Sequence, residues 1–138
     1  MDDAASPVSV LIVDDQAPFR IAAAAVVGAT PGFRVVGQAV SGEAAVEDAA
    51  RLHPDLILMD VNMDGINGVE ATRRIVHDRP GTVVLLLSTY QSGDVPVEVK
   101  RVGAAGYVDK QNFGPDVLKR IWDDRPQSAP AAPVSDDL

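Results

Sequence analysis

Between Asp55 and Asp60 the chain carries the uninterrupted apolar run Leu56-Ile57-Leu58-Met59, stops on a carboxylate, and passes at once into Val61-Asn62-Met63-Asp64-Gly65-Ile66-Asn67-Gly68. A run this short and uniformly apolar reads as a strand buried on both faces, which a parallel sheet requires. An acid where such a strand leaves the sheet sits where open α/β folds keep their chemistry. Asp60 is therefore the first candidate functional residue.

The same pattern recurs along the chain. Val8–Val13 ends on Asp14 and Asp15, and Phe33–Val40 is a β-branched stretch. Thr82–Leu87 ends on Ser88 and Thr89, and Tyr107-Val108 leads to Asp109-Lys110. Helical spacing fills the intervals. Pro18 suits the first turn of a helix that stops near Gly28. Ser41 is placed to cap a helix carrying Glu43 in its first turn. Val69–Val76 and Pro115–Trp122 supply two further amphipathic segments. Gly93 and Pro96 shorten any helix over Gln91–Val102, which reads as a mobile part. Strands alternating with helices predict a parallel sheet with helices on both faces.

The 138 residues suit one domain with its own core, bounded by a leader at 1–7 and a tail at 125–138 that is disordered by composition. Lack of cysteine excludes a disulfide scaffold and any thiolate chemistry. A net charge of −8 argues against a nucleic-acid surface. No run reaches transmembrane length and no basic signal precedes one, so a cytoplasmic protein without membrane contact is expected.

In a parallel sheet all carboxyl ends lie along one edge, so Asp14, Asp15, Asp60, Ser88 and Lys110 can converge there. Three carboxylates in one pocket repel each other, and a hard divalent cation such as Mg²⁺ resolves the conflict. A hydroxyl and an ammonium then supply donors for an anion. Together these groups describe phosphoryl transfer, with a carboxylate able to act as the nucleophile. Two alternatives fail on spacing. A calcium loop opening at Asp60 needs a bidentate acid at the place of Ala71, and a helix rather than a strand before it. A phosphatase with an aspartate nucleophile needs a second acid where Asn62 stands. His53 and His77, placed on surface turns, are assigned no chemistry, and Trp122 and Phe19 read as packing residues.

Over residues 8–124 the chain resembles the receiver domains of bacterial two-component response regulators. The resemblance is carried by Val10-Leu11-Ile12-Val13-Asp14-Asp15, by Pro54-Asp55-Leu56-Ile57-Leu58-Met59-Asp60, and by Gly68-Val69-Glu70-Ala71. Leu87-Ser88-Thr89-Tyr90 and Gly103-Ala104-Ala105-Gly106-Tyr107-Val108-Asp109-Lys110 complete it. Val36-Gly37-Gln38-Ala39 is similar to the subfamily that usually carries a C-terminal helix-turn-helix.

The resemblance implies a flavodoxin-like, doubly wound five-stranded parallel sheet, (βα)5. It implies that Asp60 accepts a phosphoryl group from a histidine kinase or phosphotransfer protein. Asp15, Asp60 and the Asn62 backbone carbonyl would hold Mg²⁺, with Asp14 acting through water. Lys110 would pair with the phosphoryl oxygens, and Ser88 and Tyr107 would form the switch. A downstream protein or a second copy would be met through the face containing residues 91–124. Such a protein is a switch rather than a turnover enzyme.

Departures from the family pattern are Asp64, where proline is usual, Gln111 after the lysine, and Gly93 with Pro96 on the output face. Arg125–Leu138 is too short and proline-rich for a helix-turn-helix, so a stand-alone protein is expected. A receiver-like module that binds partners unphosphorylated, or the receiver part of a longer DNA-binding regulator, remain open alternatives.

Overall fold

The apolar runs form the strands of one parallel sheet in a computed structural model, which describes residues 6–89 and 101–125. The strands are β1 (Val8–Val13), β2 (Phe33–Ala39), β3 (Leu56–Asp60), β4 (Val83–Ser88) and β5 (Gly106–Asp109), in the order β2-β1-β3-β4-β5. Every neighbouring pair is parallel. β3 is central, and all five of its residues are buried. That double burial explains its unbroken apolar sequence: with both faces covered, no position is left for an alternating polar residue.

Successive strand side chains point to opposite faces, and the core divides accordingly. Leu11, Val13, Ile57, Met59, Val84 and Leu86 pack on one face with Ala45 and Ala49 of α2 (Gly42–Leu52) and Ala71 and Ile75 of α3 (Gly68–Asp78). Val10, Ile12, Leu56, Leu58, Leu85 and Leu87 pack on the other with Ala23 and Val27 of α1 (Ala17–Ala29) and Leu118 of α4 (Pro115–Asp123). The expected doubly wound architecture is present. The fifth expected helical segment, Gln91–Val102, falls mostly outside the described residues.

Several boundaries differ from the sequence expectation, each for a local reason. α1 runs past Gly28 to Ala29, and the Thr30 hydroxyl donates to the Val26 carbonyl at 2.6 Å where the helix ends. β2 stops at Ala39, leaving Val40 more than half exposed. A register shift between β1 and β2 skips Val36, a bulge on an edge strand. His77 lies in the last turn of α3 rather than on a turn after it, whereas His53 caps α2 in a left-handed conformation (φ 49°). Ser41 caps α2 as expected, accepting a hydrogen bond from the Ala44 amide at 3.0 Å.

Truncating the central strand should therefore be costly where truncating a surface helix is not. Ile57→Ala is expected to lower unfolding stability by about 2–5 kcal/mol. Ile21→Ala, at a side chain 69% exposed on α1, should change it by less than about 0.5 kcal/mol. Urea denaturation of the two variants checks the contrast.

Candidate functional site

β1 and β3 are adjacent and in register, Val13 opposite Met59, so the residues after Val13 emerge beside Asp60. Oxygens of Asp14, Asp15 and Asp60 lie within 4.8 Å of one another. Asp14 is fully buried, Asp60 nearly so, and Asp15 is exposed. Lys110 arrives from the far side of the sheet. Its Nζ donates to Asp14 Oδ2 at 2.6 Å and lies 3.4 Å from Asp60 Oδ1. Rather than ending β5, Lys110 opens the 3-10 turn Lys110–Asn112, which the Asp109 carboxylate caps by accepting from the Gln111 amide.

Two buried carboxylates thus share a single ammonium, and the third acid adds a further negative charge. Burial first, and then the negative charge of Asp14, push the Asp60 carboxyl above its ordinary range. The Lys110 charge and the Asn62 amide, which donates to Asp60 Oδ1 at 3.3 Å, act in the opposite direction. An all-oxygen set with surplus negative charge suits a hard divalent cation, and the residues present fit Mg²⁺.

Ser88 ends β4 fully buried, one residue beyond Leu87, which pairs with Asp60. It therefore stands on the same sheet edge. Tyr107 lies elsewhere: it pairs with Leu86 and packs, partly buried, against the α2–α3 side of the core.

Other supports were not read from the sequence. The Gln16 amide donates to Asp14 Oδ1 at 2.8 Å, and the Arg20 guanidinium donates to the Asp14 carbonyl at 2.8 Å. Phe19 lies under Lys110, with Nζ 4.6 Å from its ring centroid, and Phe113 adjoins it at 6.4 Å. The Ile66 amide donates to Glu43 Oε2 at 3.2 Å, tying the loop after Asp60 to the start of α2. Gly68 opens the Gly68-Val69-Glu70-Ala71 motif. A Cβ there would fall 2.0 Å from the Asp60 carbonyl oxygen, so no larger residue fits where α3 begins against the end of β3. Beyond the trio opens a cleft of about 420 Å³ lined by Asp15, Asn62, Met63, Asp64, Gly65 and Asn67.

A parallel α/β sheet with an acidic trio and a lysine at its carboxyl edge belongs to the class of doubly wound α/β domains with a charged centre at the ends of the strands. More specifically, the chain belongs to the response regulator receiver domain family, which it matches over residues 10–122. It is 39% identical over 103 residues to the response regulator GacA of Pseudomonas viridiflava, an overlap of 75% of this chain and 48% of that protein. It is 38% identical to the transcriptional regulatory protein DegU of Brevibacillus brevis, over 75% of this chain and 44% of that one. The chain thus spans about half the length of these curated relatives. Among solved structures it is similar to the response regulator domain of Thermotoga maritima CheB, at TM-score 0.74 and 30% identity, with 92% and 99% of the two chains covered. It also resembles the receiver domain of the response regulator NarL from Mycobacterium tuberculosis, at TM-score 0.77 and 28% identity, covering 86% and 96%.

The raised Asp60 carboxyl carries a prediction about stability. Between the ordinary carboxylate range and the raised native value, the folded chain binds more protons than the unfolded one. Stability therefore falls as pH rises through that window, and the loss is complete once pH exceeds the raised native value. In EDTA, at a pH above that window, Asp60→Asn should melt at a higher temperature than the wild type. The gap should close as pH is lowered through the window. A gap that stayed constant from acid to alkaline pH would contradict the assignment.

Proposed function

We propose that this chain is a phosphoacceptor receiver, modified on Asp60 by a histidine kinase or phosphotransfer protein. The observation that carries the reading is the Lys110 ammonium held between Asp14 and Asp60. Such a group neutralises charge on the acceptor before reaction and is positioned to meet phosphoryl oxygens after it. A carboxylate oxygen of Asp60 attacks phosphorus, forming the P–O bond of an acyl phosphate. The P–N bond of the donor phosphohistidine breaks, and its electron pair returns to the imidazole.

Asp15, Asp60 and the Asn62 backbone carbonyl are the groups we assign to Mg²⁺, with Asp14 acting through water. Bound there, the ion would supply positive charge for the oxygens of the transferring phosphoryl group. Lys110 and Ser88 act from the protein side, the lysine pairing with the new phosphate and the hydroxyl donating to it. Movement of Ser88 toward the phosphate, coupled to a rotamer change of Tyr107 at the α2–α3 side, would convert a local charge event into an altered surface.

In this reading the chain is a switch, the functional domain spans 8–124, and the face containing residues 91–124 meets a downstream protein or a second copy. A cytoplasmic location fits a kinase partner. No helix among the described residues is long and apolar enough to cross a membrane.

Incubation with acetyl phosphate and Mg²⁺, followed by intact mass, tests the assignment. The wild type should gain one phosphoryl group, and EDTA or Asp60→Asn should abolish the gain. Lys110→Ala should slow it by about 10²-fold or more, the scale on which preorganised charge acts in such sites. Uptake of phosphate by Asp60→Asn would refute the proposal.

A further inference from the structure

Asp64 lies in the loop that follows β3, four residues beyond Asp60. It lines the 420 Å³ cleft together with Asp15, a member of the acidic trio. Both Asp15 and Asp64 are exposed. The remaining lining is Asn62, Met63, Gly65 and Asn67, with no cationic side chain. The compensating ammonium of Lys110 is committed to Asp14 and Asp60 and is largely buried. Anything that approaches through this cleft therefore meets the charge of Asp64 without a screening counter-charge from the lining residues.

We infer that Asp64 is a specificity-determining residue for the Asp60 site, acting as an electrostatic filter. Its carboxylate strengthens the hold of the site on a divalent cation and slows phosphoryl transfer from small anionic donors. The inference rests on the phosphoacceptor reading above. The physics gives the two effects opposite signs, because a unit negative charge attracts a dication and repels a dianion about equally. Acting across water over about a Debye length, one such charge changes either process about two-fold. A phosphohistidine presented on a protein is held by an extended contact surface, of which this single charge is a small part. Asp64 would thus bias the site toward protein donors and against small metabolite phosphates.

Asp64→Asn and Asp64→Glu test the inference, with Glu47→Gln on the exposed side of α2 as the same charge change elsewhere. Mg²⁺ affinity is measured by calorimetry without any donor. The rate of phosphate gain from acetyl phosphate is measured by mass at saturating Mg²⁺. Asp64→Asn should weaken Mg²⁺ binding and quicken acetyl phosphate transfer, each about two-fold. Asp64→Glu and Glu47→Gln should match the wild type in both, and the Asn effects should fade in about 1 M salt, where the Debye length is short. Unchanged Mg²⁺ affinity in Asp64→Asn overturns the inference, as does a fall in both quantities together, the signature of a structural role. Failure of the wild type to take up phosphate instead overturns the phosphoacceptor reading, and the Mg²⁺ titration still judges Asp64 separately.

Discussion

Lys110 is the charge on which the site depends. Asp14 and Asp60 are buried within reach of one another, and two carboxylates in that position cannot both stay ionised without a nearby cation. The ammonium at 2.6 Å from one and 3.4 Å from the other supplies it. Removing one partner of a buried ion pair leaves the other uncompensated, at a cost of about 3–5 kcal/mol. The compensation is also incomplete. One ammonium against three acids leaves the centre electron-rich, and Asp60 keeps a raised affinity for protons. A site of that kind is prepared for a cation on one side and for an electrophile on the other.

The surrounding fold serves to hold these charges still. β3, buried along its whole length, delivers Asp60, and α3 starts so close to it that only glycine fits at position 68. The loop between them is tied to α2 through Glu43 and Ile66. On the opposite face, α1 follows Asp14 directly, placing Phe19 under the Lys110 ammonium and Arg20 on the Asp14 carbonyl. A shift of any one element would change the distances on which the shared ammonium depends.

Much of this was legible in the sequence because it is written in short range. Apolar runs of strand length, each ending on a polar residue, identify the strands and the sheet edge together. The acids and the lysine could be brought to one place by topology alone. What could not be read is how they pair, since Lys110 and Asp14 stand 96 residues apart. Nothing local distinguishes Glu43 as a loop anchor from an ordinary first-turn acid, or Phe19 as a lysine platform from a packing residue. The offsets at Ala29 and Lys110 come from terminal hydrogen bonds, which propensity does not see. Asp64 was visible as a departure from pattern, but the cleft it shares with Asp15 emerges only from the folded loop.

Chemical trapping of the modified residue tests the central claim most directly. Sodium borohydride reduces an acyl phosphate to an alcohol, converting a phosphorylated aspartate to homoserine. After reaction with a phosphodonor and Mg²⁺, reduction and peptide mass analysis should place homoserine at position 60 and at no other acid. Homoserine at Asp14, Asp15 or Asp64, or a phosphate resistant to reduction, would contradict the account.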